Sequence, residues 1–192
     1  MSYVFALLTV LCCAVSLYAA KPEIVEGNPA SPVKVLIYED MQCSDCQTFR
    51  TLLDEKILPR YGSRVAFVHR DFPLPKHDWA RQAAVVARWV YEQNHALGIV
   101  FRRELLAEQS HLTPVSFKPW IREFARRNHL DEVAIEKSMT DARLLGLIDQ
   151  DYMAAVARGV SKTPSVYVGN QPFIEIVLYD DLAKALDVEL GR

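Results

Sequence analysis

Cys43 and Cys46 enclose two residues in Cys43-Ser44-Asp45-Cys46. That spacing lets two thiols share one helical turn and interconvert with a disulfide. Such a bridge closes a very short loop, and loop-closure entropy grows with length, so it adds little stability. The pair reads as working cysteines. The thiolate is the nucleophile, and a free cysteine has a pKa near ~8.5. A cysteine that opens a helix sits at the positive end of the helix dipole beside unpaired N–H groups, which lowers its pKa. Cys43 is therefore expected to attack, and Cys46, one turn in and more buried, to resolve. Half of a zinc site and an inert remnant are the competing readings. Zinc takes four ligands at defined spacing, and no two of His69, His77, His95, His111 and His129 lie three to five residues apart.

The elements around the pair must hold it. Val33–Tyr38 is a short, mostly apolar run, a buried strand by pattern. The cysteines follow, then a helical pattern to about residue 57 with Phe49, Leu52, Leu53 and Ile57 on one face. Val65–His69 reads as a second strand, and Lys21–Pro32, with three prolines and a Gly-Asn-Pro turn, as a loop. From about 76 to 158 the hydrophobic period becomes helical. Stripes run through Trp79, Ala83, Val86 and Val90, through Phe117, Trp120, Ile121 and Phe124, and through Leu145, Ile148, Tyr152 and Ala155. Trp79, Trp89 and Trp120 are expected in the core, the rim of a peptide groove being the alternative for some of them, and Ser116 is expected as an N-cap. Gly159 falls where a helix C-terminus favours positive φ. Ser165–Val168 and Phe173–Val177 read as strands around a Gly169-Asn170 turn, and a last helix carries Leu182, Ala185, Leu186 and Leu190. Without the helical block, the order is that of an α/β thioredoxin-like fold. The block is then an inserted all-helical subdomain within a domain spanning 21–192.

The composition removes several functions. With 192 residues, 22 Lys+Arg against 24 Asp+Glu and a net charge of -2, the chain lacks the basic surplus of a nucleic-acid binder. Its 7 glycines are scattered and make no phosphate-cradling loop. Residues 1–20 contain no charged side chain, and Val4–Ala20 is almost wholly apolar. A cleaved secretory signal and an uncleaved anchor both fit, since 17 residues is just enough to span a bilayer. Cleavage after Ser16 suits the small-residue rule better than cleavage after Ala20, which puts Tyr18 three back. Cys12 and Cys13 read as small hydrophobes in this segment; Leu11 before Cys12 argues against a lipoprotein site. Either reading places the chain outside the cytoplasm, in a periplasm-like compartment.

Gly27-Asn28-Pro29 with Pro32-Val33, Asp40-Met41-Gln42-Cys43-Ser44-Asp45-Cys46, and Thr163-Pro164 before a strand resemble the DsbA-like thiol-disulfide oxidoreductases of the bacterial envelope. The resemblance covers about 24–192. It implies dithiol–disulfide exchange with unfolded or partly folded exported proteins, no organic cofactor or metal, and a membrane redox partner that resets the disulfide. The same chemistry run as a reductase or isomerase, and a non-catalytic client- or metal-binding module, are the alternatives. Pro164 is expected to be cis and to face the cysteines, leaving the Thr163 backbone free to pair with a substrate strand.

Two carboxylates are candidates for tuning the thiol pKa. The superfamily commonly has a buried acid six residues before the first cysteine, where this chain has Ile37. Glu39 shares that strand face; it either substitutes for the acid or is a solvated residue at a strand end. Asp45 stands where strongly oxidising relatives often have His, and its charge disfavours the Cys43 thiolate. His77 is read either as a base near the thiols or as a polar residue opening the first inserted helix.

Overall fold

The computed structural model describes residues 22–191. The leader at 1–20, with Cys12 and Cys13, therefore lies outside the described residues. Strand β1 (Ile24–Gly27) is followed by β2 (Lys34–Glu39), helix α1 (Ser44–Leu52), a π-helical turn (Leu53–Ile57), the short α2 (Leu58–Tyr61) and β3 (Ala66–Asp71). Five helices come next: α3 (Ala80–Gln93), α4 (His95–Glu108), α5 (Pro114–Arg127), α6 (Glu132–Ser138) and α7 (Ala142–Ala157). The chain then returns through β4 (Ser165–Val168) and β5 (Gln171–Ile174) to α8 (Tyr179–Glu189). The sheet order is β1-β3-β2-β4-β5. β2 runs parallel to β3 and antiparallel to β4.

β2 is central and covered on both faces, which is why its sequence is an apolar run instead of an alternation. Val35 and Ile37 pack with Phe49, Leu53 and Ile57 and with Leu182 and Leu186 of α8. Tyr38 packs on the other face with Phe72, Ala155, Val160 and Tyr167. A third cluster joins the inserted helices to the cysteines: Met41, Cys43 and Cys46 pack with Trp79, Phe101, Leu105, Phe117, Ile121 and Phe124. The helical layer thus closes over the end of the sheet where the two thiols lie. Trp79 is core, stacked on Phe117 at 5.1 Å between centroids, while Trp89 and Trp120 are partly buried against the same cluster.

Several local readings need correction. The loop at 21–32 contains β1, which pairs antiparallel with β3 from Ile24↔His69 to Gly27↔Ala66. Gly27, at φ +85, ends it within 2.5 Å of the Val65 carbonyl measured from an ideal Cβ, so no side chain fits. β3 runs on through Arg70 and Asp71, because burial of Asp71 is compensated by arginines far away in sequence. The first helix continues past residue 57 through the π turn into α2, with Pro59 tolerated in the first turn of α2. Thr113, not Ser116, is the N-cap of α5; Ser116 is the N3 partner in a reciprocal capping box. The last strand ends at Ile174, because Glu175 adopts φ +61. Gly159 does take positive φ, +86, after α7.

Candidate functional site

Cys43 is the N-cap residue of α1, with φ -89 and ψ 124, and Cys46 lies in the first turn. Both are thiols in this structure. Cys43 is 7% exposed and Cys46 1%, so the first is the more accessible of the two. Cys43 Sγ donates to the Thr163 carbonyl at 3.3 Å, across 120 residues of sequence. The Thr163–Pro164 bond is cis, and Glu175 N–H donates to the Pro164 carbonyl at 2.8 Å. A groove of about 430 Å³ holds Cys43 and Thr163 and is also lined by Leu74, Pro75, Lys76 and Lys162.

The two thiols are driven apart in acidity. A hydrogen bond from the Cys46 thiol lowers the Cys43 pKa from 9.0 to about 6 against the opposing effect of burial. The Thr163 hydroxyl and the backbone amides of Cys46 and Asp45 add to this. The N-terminal amides of α1 therefore contribute, but the partner thiol contributes most. Burial pushes Cys46 the other way, well above 9.0, and the charges of Cys43 and Glu39 push in the same direction. One thiol is ionised near neutral pH while its neighbour stays protonated, which suits an attacker and a resolver.

Glu39 is 4% exposed, so it is not a solvated residue at a strand end. Glu39, His69 and Asp71 follow Ile37 and Phe67 at two-residue spacing and share their face. Glu39 Oε1 accepts from His69 Nδ1 at 2.8 Å and from Arg102 Nη1 at 2.7 Å. Burial raises its pKa, but His69 and then Arg102 outweigh burial and hold the carboxyl below its ordinary value. Glu39 is thus a fixed anion whose field acts on Cys46, and it is a poor proton acceptor. Arg102 also reaches Asp71 at 2.6 Å, and Arg88 joins Asp71 at 2.5 Å and Asp151. This buried ionic chain ties α3, α4 and α7 to the ends of β2 and β3 beneath the cysteines.

Asp45 is exposed beside Cys43. His77 precedes α3 instead of opening it, and its Nδ1 lies 2.8 Å from Asp40 Oδ2. Asp40 is 1% exposed. Sequence reasoning noticed Asp40 and His77 separately and missed their contact, weighed His69 only as a metal ligand and missed its contact with Glu39, and missed Arg102 entirely. The only signal for the arginines was charge within apolar helical stripes. Among the described residues, no group of His, Cys, Asp and Glu could hold a metal ion, and no helix is long and apolar enough to cross a membrane.

A five-stranded sheet with a CxxC pair at a helix start and a cis proline opposite defines a thioredoxin-fold protein. A family model described as Thioredoxin matches residues 19–188, and the chain belongs to that family. Its fold is DsbA-like. BdbD from Bacillus subtilis superposes with a TM-score of 0.78 at 18% identity, covering 88% of this chain and 94% of that one. Alpha-DsbA1 from Wolbachia pipientis gives 0.77 at 18% identity, covering 88% and 91%. A curated relative, the Na⁺/H⁺ antiporter NhaA 3 of Salinispora tropica, is 33% identical over 153 residues. That match covers 77% of this chain and 22% of the antiporter, so the chain spans about a fifth of that protein's length.

Proposed function

We propose that the protein is a thiol-disulfide oxidoreductase that exchanges disulfides with protein substrates through Cys43-Ser44-Asp45-Cys46. The observation that carries this reading is the split between the thiols: Cys43, with a pKa of about 6, borders the groove, and Cys46, well above 9.0, lies behind it. In the reducing direction the Cys43 thiolate attacks a substrate disulfide, forming a mixed disulfide and releasing one substrate thiolate. Cys46 then loses its proton and attacks Cys43 Sγ. The Cys43–Cys46 disulfide forms, the second substrate thiolate leaves, and two electrons have passed to the substrate. In the oxidising direction the same steps run backwards. The Thr163 backbone beside Cys43 and Pro164 supports pairing with an extended substrate segment.

This chemistry suits an oxidising compartment of the cell envelope, where disulfides persist; the apolar stretch at 4–20 supports export. Its partners would be unfolded or partly folded exported proteins and a membrane redox partner that resets the active site.

Thiol trapping tests the reading. Cys46→Ser should accumulate a mixed disulfide through Cys43, because resolution is lost, and Cys43→Ser should not. Equal trapping by both variants would overturn the assignment of attacker and resolver. Folded wild-type protein that exchanges with no disulfide would show a binding module instead.

A further inference from the structure

Every polar group of Asp40 is committed to the active-site loop or to the segment facing it. Its backbone N–H donates to Cys46 Sγ at 3.4 Å. Its carbonyl accepts from Cys43 N–H at 3.1 Å. Oδ1 accepts from Gln42 N–H at 2.7 Å, and Oδ2 accepts from Leu74 N–H at 2.6 Å and from His77 Nδ1 at 2.8 Å. The peptide unit before Asp40 is fixed at its other end as well, since the Glu39 carbonyl accepts from Phe72 N–H at 2.9 Å. Gln42 Oε1 adds a bond from Trp79 N–H at 3.1 Å. One residue thus touches both cysteines through its backbone, and its side chain fastens that backbone to residues 72–79.

From this geometry we infer that Asp40, held by His77, is a positioning residue for the resolving thiol. Asp40 aims a backbone N–H at Cys46 Sγ, and His77 completes the clamp that keeps it aimed. This rests on the exchange reading given above. A thiol makes little use of such a donor. A thiolate uses it fully, because a hydrogen bond to an ionised acceptor is roughly twice as strong as a neutral one. The contact therefore strengthens when Cys46 loses its proton to attack Cys43 Sγ, and again when Cys46 leaves as thiolate in the reverse direction. Interactions made stronger in the reacting state than in the ground state accelerate the step. The Asp40 N–H is the backbone contact that works against the rise in the Cys46 pKa. Cys43 draws its acidity from other groups, the Cys46 thiol first. Loosening the Asp40 peptide should slow resolution and spare attack.

The two steps separate with dithiobis(nitrobenzoate) as the disulfide. Attack by Cys43 releases one thionitrobenzoate and leaves the other on Cys43. Resolution by Cys46 releases the second and closes the Cys43–Cys46 disulfide. His77→Ala removes one donor to Asp40 Oδ2. It should leave the first phase unchanged and slow the second by about tenfold, the scale of one hydrogen bond to a charged group. Asp40→Asn sets an NH₂ against the Leu74 N–H and should slow the second phase at least as much. His77→Asn restores an N–H donor near the former Nδ1 position and should recover the wild-type second phase. A His77→Asn protein as slow as His77→Ala would make His77 a proton carrier and overturn the positioning role. A second phase at the wild-type rate in His77→Ala would overturn it too, and that variant decides the matter by itself if Asp40→Asn does not fold. Folded wild-type protein that releases no thionitrobenzoate would overturn the exchange reading itself.

Discussion

Glu39 and Arg102 form a fully enclosed ion pair, Oε1 to Nη1 at 2.7 Å, with the carboxylate 4% and the guanidinium 1% exposed. The arginine's other terminal nitrogen holds Asp71 at 2.6 Å. A strand end near the resolving thiol is thereby locked to the first long helix pair of the insertion. Removing the arginine leaves buried Glu39 with His69 alone and buried Asp71 with Arg88 as its remaining guanidinium. Arg102→Leu should therefore destabilise the protein by about 3–5 kcal/mol, the usual cost of breaking a buried pair from one side. Urea unfolding checks this. A loss under about 1 kcal/mol would mean that His69 and Arg88 suffice to hold Glu39 and Asp71.

The acidity of Cys43 sets a pH dependence. Its folded pKa, about 6, lies below the ordinary 9.0. The reduced unfolded chain thus carries a proton on this sulfur between those values when the folded protein does not, so this group's contribution to stability grows with pH through that window. It is complete above 9.0 and lost as pH falls through about 6. His69 acts in the opposite sense: Glu39 and Glu26 raise its pKa against burial, and its contribution fades as pH rises. The difference between reduced wild type and Cys43→Ser isolates the thiol. That difference should rise from pH 6 towards 9, and alkylation of Cys43 by iodoacetamide should be half-maximal near pH 6. A flat difference would show that Cys43 is not held as a thiolate.

How much of this was legible in the sequence follows from how local each signal is. The CxxC pair, the change of hydrophobic period and Gly159 are read within a few residues, and the structure has each in place. Pro164 needed a family resemblance, since nothing local distinguishes a cis from a trans proline before a strand. Glu39 was ambiguous because its neutralising partners lie 30 and 63 residues away. β1 was hidden for the same reason: Glu26 looks like a solvent-facing residue in a Pro- and Gly-rich loop. Arg50 and Arg103 hold it in a buried site, where His69 and then Arg50 overcome burial and lower its pKa to about 2. The clamp on Asp40 was invisible because most of what it binds is backbone, which every sequence possesses.

The α3–α4 contact depends on Gly98. A Cβ there would meet Tyr91 Cα and Cβ at 2.5 Å and Cδ2 at 2.8 Å. Cα and Cβ are fixed to the α3 backbone, so no rotamer change of Tyr91 relieves the clash. Tyr91 in turn donates to the Glu23 carbonyl at 3.1 Å, so a displaced α3 also strains β1. Gly98→Ala should cost about 1–3 kcal/mol despite the better helix propensity of Ala, the range for overpacking a dense core. A thermal midpoint equal to or above wild type would show that the helices separate freely.

Asp45 bears on how oxidising the protein is. Its carboxylate is exposed, one residue before Cys46 and two after Cys43. At ~6 Å, a unit charge in water shifts the energy of the Cys43 thiolate by roughly 0.7 kcal/mol. Solvent exposure argues for that figure over the larger one of a low-dielectric site. Repulsion of the thiolate disfavours the reduced form, so the disulfide is a weaker oxidant. With ~30 mV per 1.4 kcal/mol for a two-electron couple, the potential should lie about 15 mV below that of a neutral variant. Asp45→His replaces the repulsion with a group that attracts the thiolate when protonated. Glutathione titration of Asp45→His should therefore give a higher reduction potential, and Asp45→Asn an intermediate one. High salt should shrink the gap between the wild type and Asp45→Asn, since exposed charges are screened. An unchanged or lower potential in Asp45→His would assign the poise to Thr163, the Cys46 thiol and the amides of α1, with no share for the residue between the cysteines.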